Sequence, residues 1–146
     1  MSDKVLELDQ IRISGTATTR DEAIQEAAQI LIAAGAVTDD YLGYMMQRET
    51  LTSTFMGNGL AIPHGTNDGK DTILASALSF VRYDEPLDWN GNPVRFVVGI
   101  AGKENGHLEI LSGIAIIFSD EDEVQKLADA QSAEEILELL SGVNEK

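Results

Sequence analysis

The sequence predicts an α/β sandwich built around one sheet. Three observations point there. Capped amphipathic helix patterns recur, apolar strand-like runs lie between them, and 146 residues suit a single core.

From the N-terminus, Val5, Leu6, Leu8, Ile11 and Ile13 suggest a short strand or a pair of strands. Thr19-Arg20-Asp21-Glu22 has the S/T-x-x-E form of a capping box, in which side-chain oxygens satisfy the N–H groups that a helix start leaves unpaired. The helix it opens carries Ile24, Ala27, Ala28, Leu31 and Ala34 on one face and ends near Gly35. Thr38 is a candidate cap for a second helix, with Leu42, Met45 and Met46 inward and Arg48 near its end. The β-branched stretch 51–55 follows, and then Gly57-Asn58-Gly59, a turn by composition. Leu60-Ala61-Ile62 suits a short strand stopped by Pro63, which has no N–H for a ladder.

Residues 73–81 and 94–101 read as buried strands joined by a loop containing proline and Asn90-Gly91. Leu108, Leu111, Ala115 and Phe118 form a helical stripe, although residues 114–118, apolar on every side, also suit a buried strand. The acids at 120–123 fit a helix start, where they complement the macrodipole. Ser132-Ala133-Glu134-Glu135 is a second capping box and opens a last helix with Ile136, Leu137, Leu140 and Val143. No repeat, low-complexity tract or Pro/Gly/Ser-rich linker interrupts the chain, so residues 1–146 read as one domain.

Apolar residues make up 43 % and charged residues 24 %, the balance of a globular protein. No apolar run approaches the roughly 20 residues of a membrane span. Met1-Ser2-Asp3-Lys4-Val5 lacks the basic start and apolar core of a signal peptide, which is consistent with a cytoplasmic location. The chain has no cysteine, so disulfides, thiol nucleophiles and Cys-based zinc sites are excluded. Twenty-five acids against 10 bases give a net charge of −15. Nucleic acid and anionic membrane surfaces would be repelled, whereas a basic protein partner is compatible.

Few residues here can carry chemistry. His64 and His107 are the two histidines. His64 lies between Pro63, which restrains the backbone, and Gly65, which lets the chain turn without crowding the ring. Such a turn presents an imidazole nitrogen at a surface, where the neutral ring is a nucleophile. A polar residue in an exposed turn is the plainer alternative. Zinc would need three or four ligands, and neither HExxH nor a close histidine pair occurs. GxGxxG, GxxxxGK[ST] and GxSxG are all missing, so nucleotide binding and serine hydrolysis have no support. Met45, Met46 and Trp89 fit packing. By themselves, Arg48 fits a helix-end cation and His107 a helix-start polar residue.

The segment from Arg48 through Thr66, with Gly57-Asn58-Gly59-Leu60-Ala61-Ile62-Pro63-His64-Gly65 at its centre, closely resembles the IIA components of the mannitol/fructose class of bacterial phosphotransferase systems. Gly106-His107-Leu108-Glu109-Ile110-Leu111 resembles the second histidine region of that family, and the similarity extends over nearly the whole chain. The wording around the Pro-His-Gly segment is most similar to the mannitol branch. The resemblance implies a mixed central β-sheet flanked by helices. It also implies that His64 takes a phosphoryl group from the histidine-containing phosphocarrier HPr and passes it to a cysteine on the IIB domain of a sugar transporter. Arg48 and His107 match the positions that line the family's phosphoryl site. No metal or organic cofactor is expected, and the membrane is reached only through the transporter. The sequence as it stands carries no IIB or membrane IIC portion, as expected either of a stand-alone IIA or of a fragment of a fusion. A regulatory module of the same fold, gating a partner through its phosphorylation state, is the alternative.

Overall fold

The computed structural model describes residues 6–51, 53–102 and 106–140, apart from the side chains of 67, 68, 70 and 106–111. Its elements, in order, are β1 (Ile11–Arg12), α1 (Arg20–Ala33), α2 (Tyr41–Leu51), β2 (Phe55–Gly57), β3 (Leu60–Ala61), β4 (Ala77–Trp89), β5 (Asn92–Ala101), α3 (Gly106–Phe118), α4 (Glu121–Asp129) and α5 (Ala133–Leu139). Short 3-10 turns cover Leu8–Gln10 and Asn67–Thr72. The sheet runs β1-β4-β5-β3-β2. β1 lies parallel to β4 and β3 parallel to β5, while β4–β5 and β2–β3 are antiparallel. The sheet is therefore mixed, as the family resemblance implies.

The helix starts are local and form where their caps are. The Thr19 hydroxyl accepts from Glu22 N–H at 3.2 Å. Glu22 reaches back to the N–H and hydroxyl of Thr18, both at 3.0 Å, one residue beyond the standard box. Asp120 caps α4 through Asp122 N–H, and Ser132 caps α5 through Glu135 N–H. Ala34 is exposed at the α1 C-cap and does not continue the buried face. α2 begins at Tyr41, whose N–H donates to the Thr38 carbonyl; its buried stripe is Tyr41, Met45 and Glu49, with Leu42 and Met46 only half-buried at its flanks. Residues 114–118 are helical, which removes the strand alternative: Ile114 and Phe118 are buried while Ile116 is 70 % exposed. Val143 lies outside the described residues.

The strand boundaries differ more from expectation. Leu51 ends α2, and the strand begins only at Phe55. The expected loop after Val81 is mostly strand. β4 continues to Trp89, its register shifts between Arg82 and Leu87, and Pro86 falls inside that irregularity, where a missing N–H breaks no rung. The turn itself is only Asn90-Gly91, with φ of 56° and 94°, the left-handed pair that a two-residue hairpin requires. Ile73 stands outside β4 and bridges Val37 instead.

Alternation along β4 and β5 builds two apolar layers. Val81, Tyr83, Leu87, Trp89 and Val97 face Ile24, Ala27 and Leu31 of α1 and Met45 of α2. Leu78, Phe80, Phe96, Val98 and Ile100 face Ile114, Phe118, Leu127 and Ile136 on the other side. Arg82 shares the second phase and is buried. Its Nη1 donates to the carbonyls of Leu127, Ala128 and Ala130 at 3.0, 3.2 and 2.7 Å, closing the negative end of α4. No helix among the described residues is long and apolar enough to cross a membrane.

On the first face, buried Glu26 gathers Tyr83 Oη at 2.6 Å, Arg12 Nη1 at 2.7 Å and the N–H groups of Thr16 and Ala17. Burial by itself raises this carboxyl, but these donors together outweigh it and hold Glu26 below its ordinary 4.5. A lowered carboxyl contributes stability that is full above its unfolded value and is lost as pH falls through the folded one. Glu26→Gln is therefore expected to cost on the order of 2 kcal/mol at pH 7. The gap to the parent should narrow as pH drops below 4.5. Denaturant melts of both proteins across that range check this, and a gap independent of pH would contradict it.

Candidate functional site

β3 and β5 run parallel, so both leave the sheet at the same end. His64 lies just beyond β3, and α3, with His107 in its first turn, follows β5. Crevices at the carboxyl ends of parallel strands are where α/β sheets place ligands. The backbone of His107 is thus at the same end of the sheet as His64; its side chain lies outside the described residues.

The chain around His64 stays tied to β5 after β3 ends. His64 forms an isolated parallel bridge with Ile100, and Ile100 N–H donates to the Pro63 carbonyl at 3.0 Å. The imidazole is half-buried, with Nδ1 2.8 Å from the Ile62 carbonyl. A carbonyl oxygen only accepts, so Nδ1 carries the hydrogen in this contact. In the neutral ring Nε2 then keeps its lone pair, which makes it the nucleophilic nitrogen.

Helix α2 lies along this turn. Tyr41, in its first turn, receives a hydrogen bond from Gly65 N–H at 2.9 Å and donates to the Ile100 carbonyl at 2.7 Å. Burial pushes the Tyr41 phenol up to about 12, partly offset by the Gly65 contact, so the hydroxyl remains a donor at every ordinary pH. Further along, the Thr66 hydroxyl lies 3.5 Å from Gln47 Oε1. Arg48, the next residue, is half-buried in the last turn of α2. Glu49 then turns inward. Its carboxylate accepts from Thr54 N–H at 3.0 Å, Thr54 Oγ1 at 2.6 Å and Trp89 Nε1 at 2.9 Å. Trp89 is fully buried, a packing residue as its sequence position suggests.

The structure thus brings Arg48 onto the helix that flanks the His64 turn. Tyr41 and Glu49 were not legible as site supports. The available signal was their phase: Tyr41, Met45 and Glu49 are spaced i, i+4, i+8, and a carboxylate in step with an apolar stripe points to a buried acceptor. Asn58, at the other end of β3, donates to the Phe118 carbonyl at 2.6 Å and ties the β2–β3 turn to α3. Among the described residues no three His, Cys, Asp or Glu side chains gather as a metal ligand set.

The chain is similar to phosphotransferase IIA components. The mannitol-specific phosphotransferase enzyme IIA component of Halalkalibacterium halodurans is 46 % identical over 145 residues, which covers 99 % of this chain and 100 % of that protein. Its Bacillus subtilis counterpart is 44 % identical over 97 % of this chain and 99 % of its own length. Among solved structures, enzyme IIA-mannitol of Escherichia coli in complex with phosphorylated enzyme IIB-mannitol has a TM-score of 0.87 at 34 % identity, covering 94 % of this chain and 97 % of that one. The nitrogen regulatory protein IIA-Ntr of Neisseria meningitidis has a TM-score of 0.80 at 30 % identity, covering 93 % of this chain and 96 % of that one. The family pattern itself runs over residues 4–143, nearly the whole chain, and the protein belongs to the EIIA 2 family of the phosphoenolpyruvate-dependent sugar phosphotransferase system.

Proposed function

We propose that this protein is a cytoplasmic phosphocarrier for sugar uptake and that Nε2 of His64 is the atom that carries the phosphate. It accepts a phosphoryl group from phosphorylated HPr and passes it to the IIB cysteine of a sugar transporter. The observation that carries the atomic assignment is the contact of Nδ1 with the Ile62 carbonyl, which puts the hydrogen on Nδ1 and the lone pair on Nε2. Relatives named mannitol-specific, at 44 to 48 % identity, support mannitol as the sugar. They also favour transport over the regulatory reading.

On acceptance, the Nε2 lone pair attacks phosphorus. The bond from phosphorus to the donor histidine breaks, and its electron pair returns to that nitrogen. The His64 ring becomes cationic, and the Ile62 carbonyl favours that form by accepting from Nδ1–H. On delivery, the IIB thiolate attacks phosphorus and the pair of the P–Nε2 bond returns to Nε2, restoring the neutral ring. The protein's part is positioning and charge. Arg48 supplies a planar fork for phosphoryl oxygens, offsetting charge that a chain of net −15 would otherwise repel. His107, in the first turn of α3, supplies a further hydrogen-bond donor.

Incubation with phosphoenolpyruvate, enzyme I and HPr, followed by mass and NMR location of the phosphate, tests this. The phosphate is expected on Nε2 of His64 and to move fastest to a mannitol-class IIB domain. Phosphate on His107 would overturn the site, and acceptance without transfer to any IIB domain would favour regulation.

A further inference from the structure

We propose that Tyr41 is a positioning residue for phosphoryl transfer: its hydroxyl replaces one rung of the sheet and so sets where His64 stands. The proposal rests on His64 being the acceptor.

In a parallel ladder, a bridge between His64 and Ile100 is closed by two bonds. One runs from Ile100 N–H to the Pro63 carbonyl, and it is present at 3.0 Å. The other would run from Gly65 N–H to the Ile100 carbonyl. The Tyr41 hydroxyl occupies that place, accepting from Gly65 N–H at 2.9 Å and donating to Ile100 O at 2.7 Å. The phenol oxygen thus stands between the two groups that would close this rung. Both polar groups of Ile100 thereby serve the histidine turn, one directly and one through the phenol.

The ring of Tyr41 can sit this close only because residue 65 is glycine. A Cβ there would come within 2.6 Å of Tyr41 Cε1. Tyr41 itself is 2 % exposed and packs in the core between α1 and the sheet, so the hydroxyl has little freedom to wander. The turn bearing the nucleophile is therefore referenced to the core through one oxygen, not through a loop. In-line transfer is sensitive to such placement, because a shift of about 1 Å can cost a hundredfold in rate.

Tyr41→Phe keeps the ring and removes the oxygen. Gly65 N–H and Ile100 O must then either close on each other or go unpaired, and either result moves or loosens His64. Acceptance from HPr is expected to slow about tenfold to a hundredfold in turnover, with KM for HPr little changed. The 15N signals of the His64 ring should shift toward a mixture of tautomers. Tyr83→Phe is the control: it removes another buried phenol, the one on Glu26, and should lose stability while keeping parental transfer and His64 signals.

Parental turnover and ring signals in Tyr41→Phe would overturn the proposal, as would equal slowing in both variants. If Tyr41→Phe does not fold, Gly65→Ala displaces the turn from the other side and must give the same kinetic and tautomer signature; parental behaviour there overturns it equally. Phosphate located away from His64 in the parent would remove the functional reading itself. Phosphate on His64 beside a fully active Tyr41→Phe would remove only the role of Tyr41.

Discussion

His64→Ala is expected to fold, to remain able to meet HPr, and to accept no phosphate. The bonds that place the turn belong to its backbone: Ile100 N–H to the Pro63 carbonyl, and Gly65 N–H to Tyr41. Removing the half-buried ring gives up its contact with the Ile62 carbonyl, a loss of about 1 kcal/mol. The chemistry, in contrast, has no substitute, because Ala offers no lone pair at that position. Labelling with radioactive phosphoenolpyruvate beside a thermal melt separates the two effects. A labelled Ala variant would refute the assignment. Arg48→Lys provides the graded comparison, since it keeps the charge and loses the fork. Transfer should fall by about tenfold, the scale of one lost charge-assisted hydrogen bond. A Lys variant at the parental rate would reduce Arg48 to a point charge or a helix-end residue.

The largest stability effect is expected at Glu49. This side chain is 4 % exposed and its carboxylate is the acceptor for three donors, two from Thr54 and one from Trp89. Glu49→Ala leaves all three without it inside the core, at a cost of about 1 kcal/mol or more for each orphaned group. The sum, on the order of 3 to 4 kcal/mol, lowers Tm by about 10 °C in a domain of this size. The same change frees the last turn of α2 from the start of β2 and from β4, and Arg48 sits on that turn. Transfer from HPr should therefore slow as well, under conditions where the variant is still folded. Glu49→Gln should recover only part of the loss, because its amide places a donor where the carboxylate had an acceptor. Denaturant melts and transfer rates on the three proteins decide this. An Ala variant within about 1 kcal/mol of the parent would mean that the three donors find other partners.

The elements that were legible in the sequence have their causes close by in the chain. Thr19, Asp120 and Ser132 cap helices through N–H groups two or three residues away, so a short window contains the whole interaction. Asn90-Gly91 was legible as a turn for the same reason, since the left-handed pair asks only for residues that tolerate it, although the two-residue hairpin was not. The ends of β4 were not legible. Pro86 reads as loop because it cannot donate, and only the partner strand reveals that the register slips there. Residues 114–118 were ambiguous because an unbroken apolar run carries no period; packing of Ile114 and Phe118 against the sheet, with Ile116 outward, settled the helix.

For the site, the sequence by itself determined the chemical inventory: two histidines, no thiol, an arginine at a helix end, and a Pro-His-Gly turn that resembles a phosphotransferase family. That inventory excluded most chemistries and singled out His64, but the resemblance, not the physics of the turn, gave it a role. The tertiary structure alone decided which ring nitrogen carries the hydrogen, through a carbonyl two residues back, and what holds the turn. Tyr41 meets Gly65 and Ile100 across 24 and 59 residues, and Glu49 meets Trp89 across 40. Contacts over such separations leave no local pattern, because a phenol or carboxylate on an apolar stripe shows its purpose only when the fold brings its partner to it.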